Sequence, residues 1–410
     1  VTKYSVDILI VGGGLTGAAF MLALDELGYQ CLLVEAKSFN EDIKADFDAR
    51  SLALSPASIC ILNTLNIWPA LSPHATPIEL IHVSDQNRFG GTRLHGDKTS
   101  PLGYVVEMQH IDQLLHRLLP KDKIMAPAKL IHLDKEQSLA TLSRPDGEYQ
   151  IRAKLIVAAD GTHSATRHLC GLSAISKDYV QSAIVANVGL AHPHQFRAYE
   201  RFTANGPLAL LPMTKQRMSL IWAMPPIEAE SMIQMKDSEF IKRLQLAFGY
   251  RLGRFIRIGQ RSVYPLKQTL MSEPIHWPVV FVGNAAHTLH PVAGQGFNLG
   301  LRDVAMLAQL IAEKGINANM LKHYHKVRKS DQKAISQMTD GLIHIFTSHR
   351  PVIKIARTLG MIAVDNIPIM KKALAHYARG FAGITPDLVC EIPLKATDNV
   401  QQEGIDESNI

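Results

Sequence analysis

Residues 279–303 read VVFVGNAAHTLHPVAGQGFNLGLRD. An apolar run enters Gly283, a loop carrying Pro291 and Gly294 follows, and a helix opens near Gly296. A strand that turns through glycines into a helix brings backbone amides close to a ligand and adds the positive end of the helix dipole. A second turn of this kind stands at the other end of the chain. VDILIV (6–11) runs into Gly12, Gly14 and Gly17, a helix follows from about Leu15 to Leu27, and CLLVE (31–35) ends on Glu35. This glycine spacing between a strand and a helix, with an acid closing the next strand, is the dinucleotide fingerprint. The glycines permit a tight turn beneath a pyrophosphate, and the acid accepts ribose hydroxyls. By itself the motif does not separate FAD from NAD. Two such turns predict one ligand held by both ends of the sequence.

A third segment is LIVAADGTHSATR (155–167), a buried-looking strand reaching Asp160 and Gly161. Alone it reads equally well as a strand end followed by a helix capped by Thr162 or Ser164. Between these segments lie period-two stretches such as ELIHVSD (79–85) and SLIWAM (219–224), which predict strands. The expected organisation is an α/β, Rossmann-like FAD-binding domain assembled from 1–75, 107–175 and 276–318. A β-sheet substrate domain from 76–106 and 176–275 is inserted into it. Basic helices over 319–385 and a disordered tail over 386–410 complete the chain. Residues 51–71 are expected to be mostly helical.

A hydrophobic fraction of 47% with 20% charged residues is that of an ordinary globular protein. No apolar run is long enough to cross a bilayer. The chain enters a strand almost at once, without a charged-then-apolar leader, so a cytoplasmic location is expected. Cys31, Cys60, Cys170 and Cys390 are far apart and form no C-x-x-C pair, which argues against a disulfide framework and a zinc site. His287 and His290 lie on a loop without a cysteine or carboxylate beside them, so no metal is expected. Residues 320–380 hold eleven Lys or Arg against three Asp and no Glu, with apolar residues such as Ile335, Met338, Leu342 and Ile345 at helical spacing. Such helices either pack on the body with solvated charges or lie on an anionic membrane, and the two are compatible. No basic patch interleaved with aromatics is present, so nucleic acid is not an expected partner.

GGGLTG, DARSLAL around Arg50, AADGTHSATR and GNAAHTLHPVAGQGFNLGLRD occur in the order and at the spacing of the group A flavoprotein monooxygenases, the family with the para-hydroxybenzoate hydroxylase fold. The resemblance covers roughly residues 5–350. It is strongest to the ubiquinone-biosynthesis hydroxylase branch. Within that branch, YERFTANGPLALLPM (199–213) and Asn284 are similar to the octaprenyl-methoxyphenol hydroxylases.

The resemblance implies FAD as cofactor, NAD(P)H as reductant, O2 as co-substrate and a C4a-hydroperoxide that hydroxylates a polyprenylated phenol. It implies that Gly12, Gly14, Gly17 and Glu35 bind the ADP moiety. Arg50 is a cofactor-contacting arginine, or else a surface residue of a polar loop. Asp160 and Gly161 contact FAD and NAD(P)H. Gly283 and Asn284 lie near the ribityl chain, where Asn284 replaces the usual Asp and adds no negative charge. Pro291, Gly294, Gln295, Gly296 and Asn298 flank the isoalloxazine ring, with helix capping the alternative for Gln295 and Asn298. Pro291 and His287 are the candidate catalytic residues, although the flavin carries the chemistry, and His287 is either an acid–base group or a packing residue. A ubiquinone-biosynthesis complex, a homo-oligomer and peripheral contact of 320–380 with the inner face of the cytoplasmic membrane are the candidate associations. The residues leave open two other classes: another FAD oxidoreductase, such as a dehydrogenase or prenyl reductase, and a non-catalytic flavoprotein subunit.

Overall fold

The computed structural model describes residues 2–39, 47–86, 88–96, 98–289, 295–347, 350–381 and 385–395. Pro291, Gly294, His290 and the last part of the expected tail lie outside the described residues.

The first sheet is built on parallel strands. Thr2–Val11 sits between Cys31–Val34 and the long strand Gly147–Ala158, which pairs in turn with Val279–Phe281. Its sequence alternates between two cores. Ile8 and Ile10 point to the side of helices Leu15–Leu24 and Gln295–Lys314, while Leu9 and Val11 point to the side of Ile156 and Phe281. Burial on both faces is why VDILIV reads as a continuous apolar run.

Among the described residues the second sheet has nine strands. Ile175–Leu190 and Arg217–Met224 lie at its centre, and the meander continues through Pro207–Pro212 to Arg197–Phe202. Helices Pro226–Ile233 and Asp237–Phe248 cover one face through Tyr199, Leu208, Leu220, Trp222 and Phe240. The other face meets helices Ala318–Thr347 and Pro351–Asn366 through Gln268–Ser336 and Asp85–Arg357.

Several segments depart from the sequence expectation. Residues 51–54 are a strand, because the helix begins only at Pro56, where the Ser55 hydroxyl accepts from the Ser58 amide at 3.3 Å. This strand joins Ala75–Pro77 and Tyr104–Glu107 in a separate three-stranded sheet, so the 76–106 block is divided. Only Leu80–Asp85 and Gly91–His95 from that block enter the second sheet. His287–Thr288, expected in the cofactor domain, pairs with Thr269–Leu270 and so also belongs to the second sheet.

The tail is ordered at its start. Leu388 and Val389 are buried, Thr64 Oγ1 donates to Leu388 O (3.1 Å), and the Asp387 amide donates to Gln309 Oε1 (2.9 Å). The burial of two apolar side chains outweighs the polar composition around them. The basic helices run over Ala318–Thr347, Pro351–Asn366 and Pro368–Ala378, with Met320, Leu321, Tyr324 and Ile335 packed inward.

Candidate functional site

Register brings the three glycine-bearing segments to one edge. Val11 pairs with Ala158, and Ala158 pairs with Phe281. The chain therefore leaves three adjacent parallel strands at one level, into Gly12, Ala159–Asp160 and Val282–Gly283. Backbone bonds lock that level: the Gly12 amide donates to Val34 O (2.8 Å), Ala159 to Val11 O (2.8 Å) and Val282 to Ala158 O (3.0 Å). The carboxyl ends of parallel strands are where open α/β sheets bind their ligands.

The glycines differ in what they do. A Cβ on Gly17 would lie 1.9 Å from Gly12 O, so Gly17 lets the helix start seat against the turn. Gly12, at φ +108°, approaches Ala159, and a Cβ there would sit 2.6 Å from Ala159 O. Gly14 is the N-cap of helix Leu15–Leu24, carries no side-chain cap, and faces open space. The unblocked helix start has the shape and polarity a pyrophosphate needs. Glu35 accepts the Gly13 amide on one carboxylate oxygen (2.7 Å) and the Lys37 amide on the other (3.0 Å). This aims the group along the turn and leaves lone pairs for ribose hydroxyls. These residues fit an ADP moiety.

The distant glycine turn meets the first one directly. Gly283, at φ +56°, approaches Thr16 so closely that a Cβ would lie 2.9 Å from Thr16 Oγ1. A Cβ on Gly300 would fall 3.3 Å from Gly283 Cα. The two glycine turns therefore meet at one edge of the sheet, in contact through Thr16. Asn284 is exposed beside it, Gly161 faces open space at φ +79°, and Gly296, in the first turn of helix Gln295–Lys314, does the same. The side chain of Gln295 lies outside the described set.

Other predicted contacts are turned inward. Both oxygens of Asp160 are bonded within its own turn, by Ser164 Oγ (2.6 Å), the Thr166 amide (2.9 Å) and Thr166 Oγ1 (2.9 Å), and Ser164 caps the short helix that follows. The capping reading of this segment is thus realised, and Asp160 shapes the edge. Arg167 ties that turn to the next, donating to Ala285 O and Thr162 O (2.8 Å each). Asn298 is buried. Its Oδ1 accepts from the Ser55 amide (2.9 Å) and Ser58 Oγ (2.7 Å), and its Nδ2 donates to Ala53 O (3.0 Å). It joins the helix start to the small sheet instead of presenting its amide to a ring edge. Arg50 is exposed, with its guanidinium 5.9 Å from the Tyr264 ring centre. The segment before it is clasped by Asn187 Nδ2, which donates to Phe47 O and Ala49 O (2.7 Å each).

His287 is fully buried, and its Nε2 lies 2.5 Å from Asp303 Oδ2. Asp303 also accepts the Gly283 amide (3.2 Å), Arg328 Nε (2.8 Å) and Gln332 Nε2 (3.1 Å). Burial alone would raise its carboxyl, but the charges of His287 and Arg328 outweigh burial and hold it below the usual carboxylate range. Arg328 is the counterpart: burial opposes its charge, and Asp303 and Asp331 keep it protonated. His287 thus lies in a buried cluster with Asp303 beneath Gly283. Asp303 was open to detection as the lone acid on an otherwise apolar helix face. Arg328 and Gln332, a helix away, left no local signal.

A parallel sheet with a dinucleotide turn and a second glycine turn at the same edge, in one chain with an antiparallel sheet, is the architecture of a dinucleotide-binding protein. The chain belongs to the FAD binding domain family, which matches residues 5–339, and it is an FAD-dependent monooxygenase. It is 32% identical to the ubiquinone hydroxylase UbiL of Rhodospirillum rubrum over 93% of this chain and 91% of that one. It is 29% identical to the 3-demethoxyubiquinol 3-hydroxylase of Escherichia coli, over 92% of this chain and 100% of the other. In fold it matches the p-nitrophenol 4-monooxygenase of Pseudomonas putida with a TM-score of 0.75, at 17% identity, over 92% of this chain and 98% of that one.

Proposed function

We propose that the chain hydroxylates the aromatic ring of a polyprenylated phenol in ubiquinone biosynthesis, with FAD lying across the shared edge. The observation that carries this reading is the convergence of Gly14, Gly161 and Gly283 at one strand level beside the second sheet. The two ubiquinone hydroxylase relatives support the substrate class. Bound FAD would supply oxygen activation: O2 and the two electrons of NAD(P)H insert one oxygen atom into a ring C–H bond and release the other as water.

The protein's own residues do the rest. Gly12 to Gly17 and Glu35 hold the dinucleotide, and Thr16 and Gly283 set its approach. Ala183, Ile221, Ala223 and Leu266 form a nearly closed apolar cluster on the face of the second sheet opposite helices Pro226–Ile233 and Asp237–Phe248. Such a cluster beside the substrate ring would keep water from the reacting atoms.

Among the described residues no helix is long and apolar enough to cross a membrane. Helices Pro351–Asn366 and Pro368–Ala378 nevertheless expose Val352, Ile355, Leu359 and Ile369 beside Lys371 and Lys372. This face suits peripheral contact with the anionic membrane that carries a polyprenyl lipid.

The test is 18O2 turnover of a prenylated methoxyphenol by the yellow holoenzyme. Labelled hydroxyl in the product is expected. Oxidised but unlabelled product would favour the dehydrogenase class. Flotation with phosphatidylglycerol vesicles tests the membrane face, and binding unchanged by Ile355→Glu with Ile369→Glu would reject it.

A further inference from the structure

One carboxylate on the second sheet has no ion-pair or side-chain hydrogen-bond partner among the described residues. Glu200 lies on Arg197–Phe202, where Tyr199 packs on Phe248 at 5.2 Å and Arg201 Nε donates to Ala247 O at 3.0 Å. Both neighbours point to the helix-covered side, so Glu200 points to the other. Its cross-strand neighbours are Val83 and Ala209, and the same row continues through Ile221 and Val185. Ile221 packs in the apolar cluster of Ala183, Ala223 and Leu266.

The surroundings enclose this row without giving the carboxylate a partner. At one end Val105 of the small sheet packs on Ala198 and Leu211, and the small sheet is itself fastened to the cofactor helix by Asn298. At the other end helix Pro351–Asn366 reaches Asp85 through Arg357. The charges that these elements bring are already paired. Asp85 is held by Arg357 and Arg88, Glu107 by Arg217, and Asp340 of helix Ala318–Thr347 by Lys177. Glu200 forms no ion pair or side-chain hydrogen bond with any described residue. Glu200 is half-buried, so part of its side chain stays accessible on this face of the sheet.

We infer that Glu200 is the base that receives the phenolic proton of the substrate. The inference rests on the hydroxylase reading above. In the step, the phenol O–H bond breaks, its electron pair stays on the ring oxygen, and the proton joins a Glu200 carboxylate oxygen. The ring gains electron density that favours attack on an electron-poor oxygen, which bound FAD with O2 would supply, and the proton later leaves Glu200 for solvent. Burial without a counter-charge pushes the carboxyl up to about 7. A base whose affinity for protons lies near the working pH is the efficient one for such a transfer.

The experiment compares FAD-loaded wild type with Glu200→Gln and Glu200→Asp, using 2-geranyl-6-methoxyphenol. The visible spectrum reads flavin occupancy, ultraviolet difference absorbance reads ionisation of the bound phenol, and product per O2 is followed against pH. Glu200→Gln is expected to keep its flavin and lose about 100-fold in hydroxylation. Its bound phenol should ionise at higher pH, and the rise of the wild-type rate through neutral pH should vanish. Glu200→Asp should recover part of the rate. An unchanged pH profile and ionisation midpoint in Glu200→Gln would overturn the assignment. If the wild type binds the phenol but makes no hydroxylated product, the hydroxylase reading fails, and the ionisation midpoint alone judges Glu200.

Discussion

Asp303 and Glu200 are the same kind of group in opposite circumstances. Asp303, beneath the cofactor crevice, is completely buried and receives the Gly283 amide, His287, Arg328 and Gln332. Glu200, half-buried on the second sheet, lies in one row with Val83, Ala209 and Ile221 and receives no side-chain donor among the described residues. The first is held ionised and the second is pushed toward neutrality. The contrast shows that enclosure does not set the state of a carboxyl; the donors and charges around it do. A saturated carboxylate is a strut, while an unsatisfied one is available for chemistry.

The largest effect should come from the strut. Asp303→Ala leaves Arg328 buried beside a lost partner, which typically costs about 3–5 kcal/mol. Urea denaturation of the purified protein measures this, and a loss below about 1 kcal/mol would break the contrast. The sign in pH follows: the Asp303 carboxyl is depressed in the folded protein, so its stabilisation is complete above the usual carboxylate range and disappears as pH falls below it.

Next comes the glycine turn. In Gly17→Ala the new methyl meets Gly12 O at 1.9 Å, so the turn must move, and at least a tenfold loss of FAD affinity is expected, about 1.4 kcal/mol or more. Gly14→Ala meets no protein atom within 4 Å. A loss of flavin there with unchanged melting would report ligand contact directly; retention of full affinity would place the pyrophosphate elsewhere. Flavin fluorescence titration reads both.

The free carboxylate should behave oppositely to Asp303. The Glu200 carboxyl is raised from 4.5 to about 7, so its charged form costs stability above pH 7 and nothing below the ordinary carboxylate range. Glu200→Gln should therefore stabilise the protein by about 1–3 kcal/mol at pH 8 and leave it unchanged at pH 4. Destabilisation at pH 8 would show that Glu200 is a structural residue. The smallest effect belongs to Asn284→Asp. The position is exposed, so stability should stay within about 0.5 kcal/mol. The flavin affinity should move only a few-fold, and a change above tenfold would promote this residue to a main determinant of binding.

Much of the cofactor edge was legible in the chain, because strand, tight turn and helix start are local events. GGGLTG, AADGTHSATR and GNAAH each carry their own backbone signal. Local signals were weaker where a partner comes from afar. Ser51–Leu54 reads as helical beside its neighbour, yet it becomes a strand because Tyr104–Glu107 supplies a ladder. The short run Leu388–Val389 reads as a tail, yet it is buried because Thr64 and Gln309 hold the backbone beside it.

The residues of the site divide along the same line. The sequence alone determined which backbone turns could receive a dinucleotide, since glycine spacing between a strand and a helix is a property of a few neighbouring residues. Tertiary structure alone decided that Asn298 and His287 face the protein, that Asp303 anchors Gly283, and that Glu200 stands without a donor. A side chain's chemistry depends on which groups long-range folding brings within a few ångströms, and spacing along the chain carries no record of that distance.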